Sequence, residues 1–345
     1  MATPTSGSPA WSVRRSTSRR SRGSPASPSR EPEPIRHAVA VLLLAVALDL
    51  ALGDPPNCVH PVAWLGRALG AGGRALRRGG PAALLLGGAL TALGAAVLAG
   101  LGGHVVGALA ARLEGLGALV EALALACLLS LRSLAAAALG VKAALAASDL
   151  AAARAAVGRH LVSRPTATLD AGHVASATIE SVAENLTDAF VAPVCFYLAF
   201  GLPGAAVYRA INTADAMFGY REGTLEYFGK VGARLDDLFN LAPARLAGWA
   251  IVAGARLAGE SAARAAGVML HDRRRTASPN AGFTMSAMAG ALGVTLEKPG
   301  AYRLGRGPLP AAADIARSIR VFAAASAVSL GTAIATAWAL SHALR

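Results

Sequence analysis

The sequence has little charge, few aromatic residues and only three cysteines. Charged residues make up 15% of its 345 residues, whereas a soluble globular protein typically carries about 25%. Cys58, Cys127 and Cys195 are far apart, so neither a disulfide framework nor a zinc knuckle is indicated. Aromatic residues do not alternate with basic ones, which argues against binding to single-stranded nucleic acid. These shortages exclude a soluble enzyme, a disulfide-rich secreted domain and a nucleic-acid-binding protein.

Long apolar runs take the place of the missing charge. The runs 82–101 and 321–340 contain no charged residue, and each has the roughly 20 residues that a membrane-spanning helix requires. Further apolar segments lie at about 38–52, 115–131, 189–208 and 244–258. Ala, Leu and Gly dominate and no alternating strand pattern repeats. The sequence therefore predicts an all-α, polytopic integral membrane protein with about five to six apolar segments, in contact with the lipid bilayer.

Two of these segments are short and interrupted. Gly-Leu-Pro-Gly breaks the segment 189–208, and two arginines lie within 244–258. Broken helices are tolerated at membrane depth where protein or a water-filled cavity covers them. If both segments enter the membrane and return, the three polar stretches of the chain lie on one face of the membrane. If both segments cross fully, the middle polar stretch lies on the opposite face from the other two. The polar stretches are 132–188, 209–243 and 259–318. Arg and Lys in all three favour a shared, cytoplasmic face of the inner or plasma membrane.

The N-terminal residues differ from the rest of the chain. Residues 1–36 carry seven Arg against two Glu, which is +5 of the total formal charge of +13. A Ser/Pro/Arg-rich segment of this kind cannot bury a core. We therefore predict a disordered basic leader over 1–36 and a single membrane-embedded helical catalytic domain over 37–345.

A stripe of acidic residues precedes the segment 189–208. Glu180, Glu184 and Asp188 are four apart, so they share a helical face, where like charges repel by a few tenths of a kcal/mol per pair. Asn185 adds an amide beside them. A solvent-exposed helix face is one interpretation of this stripe. However, the stripe leads directly into an apolar run, where unpaired carboxylates are costly. A Mg²⁺ ion or a basic partner would stabilise it.

A second acidic group lies between the two interrupted segments. Asn212 and Asp215 are three apart and Asp236 and Asn240 four apart, with Asp237 beside them, so each pair shares a helix face. Carboxylate and amide oxygens suit Mg²⁺, which usually takes one or two protein carboxylates plus phosphate oxygens of a substrate. Helix caps and salt bridges to nearby arginines are the alternative interpretation.

A helix start follows three consecutive arginines at 273–275. Ser278 can cap a helix whose first residue is Pro279, and the free amides at such a helix end attract anions. The pattern therefore indicates either phosphate binding or an ordinary capped helix after a basic loop. The chain has no Walker-type phosphate loop and no serine nucleophile elbow.

The first apolar segment carries an acid of its own. Asp49 lies inside it, and Asp54 and His60 follow in a proline-rich turn. An ionisable residue within a span indicates function by default. A metal site at Asp54 and His60 is one interpretation, but we favour positioning of the N-terminal segment at the site.

Five sequence blocks resemble the CobD/CbiB cobalamin-biosynthesis family, the membrane-embedded adenosylcobinamide-phosphate synthases. In order they are LDLALGDPPNCVHPVAWLGR, LRSLAAAALGVKAAL, ATIESVAENLTDAFVAP, YRAINTADAMFGYREGTLEYFGKVGARLDDLFNLAPAR and SPNAGFTMSAMAGALGV. The likeness covers about residue 38 to the C-terminus. It implies ATP-dependent amide-bond formation that joins (R)-1-amino-2-propanol, or its O-phosphate, to the free propionate of adenosylcobyric acid. It also implies a complex with another membrane enzyme of cobamide assembly.

The implied reaction gives each polar group an expected role. A carboxylate condenses with an amine in water only after activation, which ATP can supply through an acyl phosphate. We expect catalysis by Glu180, Glu184, Asp236 and Asp237, the last three of them as Mg²⁺ ligands. The expected substrate-binding residues are Asp54, Arg132, Asn185, Asp188, Asn212, Asp215, Tyr220, Arg234, Asn240, Arg245, Ser278 and Asn280.

One departure and two alternatives accompany this interpretation. Family members usually have Arg-Asp-Thr where this chain has Arg164-Pro165-Thr166, so we assign no catalytic role to Arg164 or Thr166. The spacings within 212–215 and 236–240 also resemble the Mg²⁺–diphosphate motifs of intramembrane prenyltransferases. A transporter or scaffold subunit is the third interpretation, and the absence of an internal sequence repeat disfavours it.

Overall fold

The computed structural model describes Met1 and residues 33–343, with side chains from Ile35 onward. The predicted leader therefore lies almost wholly outside the described residues. The first helix begins at Glu33, so the last four residues assigned to the leader belong to this helix. Residues 33–343 form one compact unit.

The all-α prediction is confirmed over residues 33–343. In chain order the elements are α1 Glu33–Leu52, α2 Pro61–Leu76, α3 Pro81–Ala110, α4 Gly117–Ala126, α5 Leu131–Ala146, α6 Leu150–His160, α7 Ala171–Leu186, a π-helical turn Thr187–Val191, α8 Ala192–Phe218, α9 Leu225–Phe228, α10 Lys230–Phe239, α11 Leu241–Leu257, α12 Ala262–Asp272, α13 Ala281–Leu292, β1 Leu296–Lys298, β2 Tyr302–Leu304 and α14 Ala312–Ala343. The two short strands pair antiparallel, with Leu296 opposite Leu304.

Five helical stretches within the described residues are long and apolar enough to cross a membrane. They are 35–52, 81–110, 117–146, 171–218 and 312–343, and α10 with α11, bent by 52°, is a sixth candidate. Large apolar side chains such as Leu86, Leu90 and Leu98 are exposed along α3, as expected for a lipid-facing helix surface. The opposite face of α3 consists mainly of small residues. Gly88 on this face lets α3 approach the backbone of Phe228 closely. The predicted five to six apolar segments are therefore confirmed.

The predicted interruption at 201–204 reverses the direction of the chain. Gly201 has φ +66° and ψ −163°, a conformation essentially confined to glycine. The rings of Phe196 and Tyr208 lie only 5.1 Å apart, whereas a continuous helix would separate these positions by about 18 Å. The segment 189–208 therefore enters and returns as a helical hairpin, and Arg209 Nη1 donates to the carbonyl oxygen of Asp188 at 3.2 Å.

This hairpin brings the first two polar stretches to one end of the molecule. The third stretch joins them there, because Asn280 Nδ2 donates to the carbonyl oxygen of Asp237 at 2.7 Å. Residues from all three polar stretches therefore meet at a shared face. The reversal that the first arrangement requires is seen for the segment 189–208, whereas the segment 244–258 lies in α11.

Candidate functional site

Two adjoining cavities lie at this shared face. Cavity 1 measures about 450 Å³ and cavity 2 about 590 Å³. Both are lined by Glu184, Asp188, Asp215, Gly219 and Tyr220, and we call these five residues the junction. Residues from all three polar stretches line cavity 1, among them Glu184, Asp215 and Asn280. The sequence prediction that the acid-and-amide stretches gather at one site agrees with this geometry.

Asn240 occupies the centre of a buried hydrogen-bond network. Its Nδ2 donates to Asp188 Oδ1 at 3.2 Å and to Asp236 Oδ2 at 3.1 Å, and its Oδ1 accepts from the Tyr208 hydroxyl at 3.0 Å. The residue is only 3% exposed. Its polar atoms thus have partners within the protein, and because Asn240 also lines cavity 1 its predicted contact with substrate stays a prediction. It holds two carboxylates of the site in place.

Asn212 supports the same network from α8. Its Nδ2 donates to Asp236 Oδ1 at 3.2 Å, and its Oδ1 accepts from Arg209 Nη1 at 3.3 Å. Asn212 lines cavity 2 and Asp236 lines cavity 1. Because each oxygen of Asp236 already accepts a hydrogen bond, this carboxylate has fewer lone pairs left for a metal ion than the sequence prediction assumed.

Glu184 and Asp215 have the least-occupied carboxylates of the site. Neither side chain has a hydrogen-bond or ion-pair partner among the described residues, and both line both cavities. No group of three His, Cys, Asp or Glu side chains within the described part of the chain is placed to hold a metal ion. Mg²⁺ often completes its coordination shell with water and substrate phosphates. The carboxylates of Glu184 and Asp215 therefore suit a Mg²⁺ ion that takes its remaining ligands from water and substrate, and do not suit an ion coordinated by protein alone.

Asp237 joins α10 to the start of α13. Its Oδ1 accepts from Ser278 Oγ at 3.4 Å, its carbonyl oxygen accepts from Asn280 Nδ2, and Arg234 Nη1 lies 3.9 Å from its Oδ2. Asp237, Arg234, Ser278 and Asn280 all line cavity 1. Three of these predicted site residues therefore lie together at the cavity wall with their predicted catalytic neighbour.

The start of α13 corrects a further prediction. The helix begins at Ala281, not at Pro279, and Ser278 Oγ accepts from the backbone amides of Asn280 and Ala281 at 3.2 and 3.4 Å. Ser278 thus satisfies the amides that were expected to bind an anion.

Arg245 lines neither cavity. Its Nη1 donates to Asn280 Oδ1 at 2.7 Å and its guanidinium lies 4.4 Å from the Phe283 ring centre, so Arg245 supports Asn280, and its predicted contact with substrate stays a prediction.

Glu180 is buried and fully engaged. Its Oε1 accepts from Ser176 Oγ at 2.7 Å, its Oε2 accepts from the Tyr302 hydroxyl at 2.8 Å, and Arg164 Nη2 lies 3.6 Å from Oε2. Burial, and next the negative charge of Glu180, raise the pKa of Tyr302, so its phenol remains a donor. These contacts show Glu180 holding its neighbours in place, and because it also lines cavity 2 its predicted catalytic role stays a prediction.

Asn185 and Tyr220 lie at the cavity walls as predicted. Asn185 Nδ2 donates to the carbonyl oxygen of Ser181 at 2.9 Å, which leaves its Oδ1 available to cavity 2. The Tyr220 hydroxyl donates to the carbonyl oxygen of Ala216 at 3.2 Å, and the ring lines both cavities.

Arg132 lies in a separate cluster where α1 ends and α5 begins. Asp49 is 1% exposed, and its Oδ2 accepts from the backbone amides of Leu131 and Arg132 at 3.0 and 3.3 Å. The Arg132 guanidinium donates to the carbonyl oxygens of Leu50, at 3.2 Å, and Ala51. Arg132 therefore docks the two helices together and lies away from both cavities.

Asp54 belongs to the same cluster and lines neither cavity. Its Oδ2 accepts from Ser130 Oγ at 3.1 Å, and His60 Nε2 lies 3.8 Å from its Oδ1. Burial acts to raise the pKa of Asp54, but His60 and the neighbouring serine hydroxyls outweigh burial and hold the pKa below its usual value. The cluster supports the preferred interpretation that this segment positions the N-terminal helix, although not through direct contact with the cavities.

Sequence reasoning missed several residues that line the cavities. Arg164, which received no role, lines cavity 2 together with Arg159, Lys298 and Tyr302. Lys298 and Tyr302 lie on the three-residue strands β1 and β2, whose sequence carries no motif that could have identified them. Arg164 was the exception, because its place beside the acidic stripe in the family pattern was a usable signal.

Comparison with known proteins identifies the family. The family model described as CobD/Cbib protein matches residues 42–330. The probable cobalamin biosynthesis protein CobD of Methanothermobacter thermautotrophicus is 40% identical over 267 residues, which cover 77% of this chain and 86% of that protein. The cobalamin biosynthesis protein CobD of Dehalococcoides mccartyi is 40% identical over 269 residues, covering 77% and 86%.

A third relative covers still more of the chain. The probable cobalamin biosynthesis protein CobD of Thermococcus kodakarensis is 40% identical over 293 residues, which is 83% of this chain and 91% of that protein. No solved structure matches the chain. Because the family model spans most of the chain and these relatives are matched over most of their length, the chain belongs to the CobD/Cbib family.

Proposed function

We propose that this protein acts in cobalamin biosynthesis, as the names of its relatives state for them. In the proposed reaction it joins (R)-1-amino-2-propanol, or its O-phosphate, to the free propionate of adenosylcobyric acid at the expense of ATP. The observation that carries the proposal is the junction, where the carboxylates of Glu184 and Asp215, which have no hydrogen-bond or ion-pair partner within residues 33–343, line both cavities. Such a junction suits the meeting of an activated acid and an amine.

The proposed chemistry has two steps. An oxygen of the substrate propionate attacks the γ-phosphorus of ATP, ADP leaves, and an acyl phosphate forms. The amine nitrogen then attacks the acyl carbon, inorganic phosphate leaves, and the nitrogen loses a proton. Glu184 and Asp215 are the described carboxylates with free lone pairs at the junction, so one of them accepts that proton.

The same two carboxylates would hold Mg²⁺. A bound Mg²⁺ would neutralise phosphate charge on the nucleotide, while Asp236 and Asp237 line cavity 1 with hydrogen-bond partners of their own. Arg221, Lys230 and Arg234 line cavity 1 with these acids, and their positive charge supports the binding of ATP phosphates there.

The volumes of the two cavities suit the reacting groups of the substrates but not the whole corrin macrocycle. Cavities of several hundred Å³ accommodate drug-sized groups, so we place the corrin macrocycle at the mouth and its propionate arm inside. We place the mouth on the cytoplasmic side of the cell membrane, since Arg and Lys are frequent in the stretches that form it. A second membrane enzyme of cobamide assembly is the proposed partner that receives the product.

The direct test is an assay of the purified protein in lipid nanodiscs. Adenosylcobyric acid, ATP, Mg²⁺ and either amine are incubated with the protein, and mass spectrometry follows the corrinoid. We expect the corrinoid to gain the mass of the amine less one water, with one ADP formed per product. A folded protein that forms no product with either amine would contradict the proposal, and release of diphosphate from a prenyl diphosphate would favour the prenyltransferase interpretation.

A further inference from the structure

Cavity 2 is lined by three basic residues that the proposed chemistry does not use, namely Arg159, Arg164 and Lys298. We infer that these three residues form a subsite for a phosphoryl group. The inference concerns the same active site, so the identity of the ligand rests on the proposed function, whereas the presence of the subsite does not.

The three cations come from separate parts of the chain. Arg159 lies in the last turn of α6, Arg164 in the connection to α7, and Lys298 at the end of β1. All three carry positive charge, so each would attract a phosphoryl group bound in this cavity. Arg317, by contrast, pairs with Glu260 and Asp314 within the protein.

Arg164 is oriented while most of its donors stay free. Glu180 Oε2 lies 3.6 Å from its Nη2 and is the ion-pair partner of Arg164 among the described residues. Glu180 is itself fixed by Ser176 and Tyr302. A guanidinium has five N–H donors in a fixed fork, so Arg164 retains the planar, two-pronged geometry that binds phosphate oxygens.

Lys298 is presented by a hairpin that is fastened at both ends. The backbone amide of Glu297 donates to Ser176 Oγ at 2.7 Å, and that of Gly305 donates to Asp272 Oδ2 at 2.8 Å. The Lys298 ammonium has no hydrogen-bond or ion-pair partner in the described residues, and the Arg159 guanidinium has none there either. The hairpin backbone is thus held by hydrogen bonds, while the Lys298 ammonium lines the cavity without a partner in the described residues.

Acidic residues line cavity 2 as well, among them Glu184, Asp188 and Asp215 of the junction. The cavity therefore fits a ligand that carries both a phosphoryl group and a cationic or metal-bound group. Two ligands of the proposed reaction have this character, namely the O-phosphate of the amine and Mg²⁺–ATP, and both share the phosphoryl chemistry that defines the subsite.

A binding experiment tests the subsite without turnover. The Arg164→Gln/Lys298→Gln double variant in nanodiscs is titrated by calorimetry with inorganic pyrophosphate, ATP and (R)-1-amino-2-propanol O-phosphate. We expect the Kd of at least one of these probes to rise tenfold or more relative to the parent, because charge-assisted hydrogen bonds are lost. Arg112→Gln/Lys142→Gln is the matched control, since both residues lie away from the cavities, and it should bind like the parent.

Kinetics then identify the source of the phosphoryl group. A rise in KM for the amine phosphate alone, with KM for the free amine unchanged, assigns the subsite to the amine. A rise in KM for ATP alone assigns it to the nucleotide. A double variant with parental melting temperature and unchanged Kd for all three probes would overturn the inference.

A positioning variant separates orientation from charge. Glu180→Gln keeps all three cations but loosens Arg164, so we expect a weaker, several-fold rise in Kd in the same probe that the double variant affects. An unchanged Kd in Glu180→Gln alongside a tenfold change in the double variant would still support the subsite through charge. A parent protein that binds the probes but makes no amide would overturn the proposed reaction and leave the subsite standing.

Discussion

Asn240 donates a 3.2 Å hydrogen bond to Asp188, fifty-two positions earlier in the chain. Asp188 lies in the π-helical turn that follows α7, where the widened helix turns its side chain toward α10. Since the second Nδ2 hydrogen of Asn240 goes to Asp236, one amide links two carboxylates that would otherwise repel each other. The geometry of the acidic side of the junction therefore depends on a residue that lines only cavity 1 and is buried.

Replacement of Asn240 by Ala should damage both stability and activity. Two buried carboxylates lose a donor, which costs about 1–3 kcal/mol of folding free energy, and their separation is no longer fixed. We expect a lower melting temperature in nanodiscs and a kcat reduced at least about tenfold. Asn57→Ala is the control, because Asn57 is exposed and only its carbonyl oxygen is bonded, by Arg67. Equal activity in the two variants would contradict the positioning role.

Glu184 should be more sensitive to neutralisation than Glu180. Glu184→Gln removes a partner-free carboxylate at the junction, so we expect kcat to fall by roughly 100-fold, as for loss of a general base, and half-saturation by Mg²⁺ to require more of the ion. Glu114→Gln, in the exposed turn after α3, should leave both quantities unchanged. A Glu184→Gln variant with parental kcat and parental Mg²⁺ dependence would remove this residue from the proposed chemistry.

The sequence predicted the helical class, the spans and the gathering of acidic stretches, because these depend on local hydropathy and on helical spacing. It could not separate Glu180 from Glu184, since four-residue spacing places both on one face. What distinguishes them is Tyr302, 122 positions from Glu180, whose hydroxyl donates to Glu180 and not to Glu184. The positioning role of Asn240 was missed for the same reason, because two of its partners, Asp188 and Tyr208, come from distant parts of the chain.

Chain reversal was also only partly predictable. Gly-Leu-Pro-Gly marked a break at 201–204, but a break permits a kink, a crossing or a return. The return is decided by the packing of Phe196 on Tyr208, which no local pattern records. The short strands β1 and β2 were missed because their six residues carry no periodic signal of useful length.

Gly201 should not tolerate a side chain. Alanine at φ +66° and ψ −163° would be strained by about 1–3 kcal/mol, so we expect Gly201→Ala to lower the melting temperature and the yield of folded protein. Gly140→Ala is the matched control, since an added Cβ there meets no atom within 4 Å and helix propensity should favour it by about 0.5–1 kcal/mol. A melting temperature that is the same in Gly201→Ala as in the parent would argue against the sharp reversal.

Asp54 should make a pH-dependent contribution to stability. Its pKa in the folded protein lies below the usual value, so its ionised form stabilises the fold at pH values above the ordinary carboxyl pKa. That contribution is lost as the pH falls through the folded pKa. We expect the melting temperature of Asp54→Asn to lie below that of the parent near neutral pH, and the difference to shrink below about pH 4. A difference that grows on acidification would contradict the assignment.

Cysteine accessibility should place the loops around the cavities on one side of the membrane. Thr168, Glu222 and Pro299 are exposed in three different polar stretches, and we expect cysteines there to react with an impermeant maleimide from the same side, after Cys-to-Ser replacement of the native thiols. Glu114 should behave oppositely. It follows α3, whose 30 residues extend about 45 Å from the end that packs near the cavity. The contrary result is that Glu222→Cys reacts from the same side as Glu114→Cys and from the side opposite to Thr168→Cys and Pro299→Cys. That result would contradict the shared face and with it the proposed site.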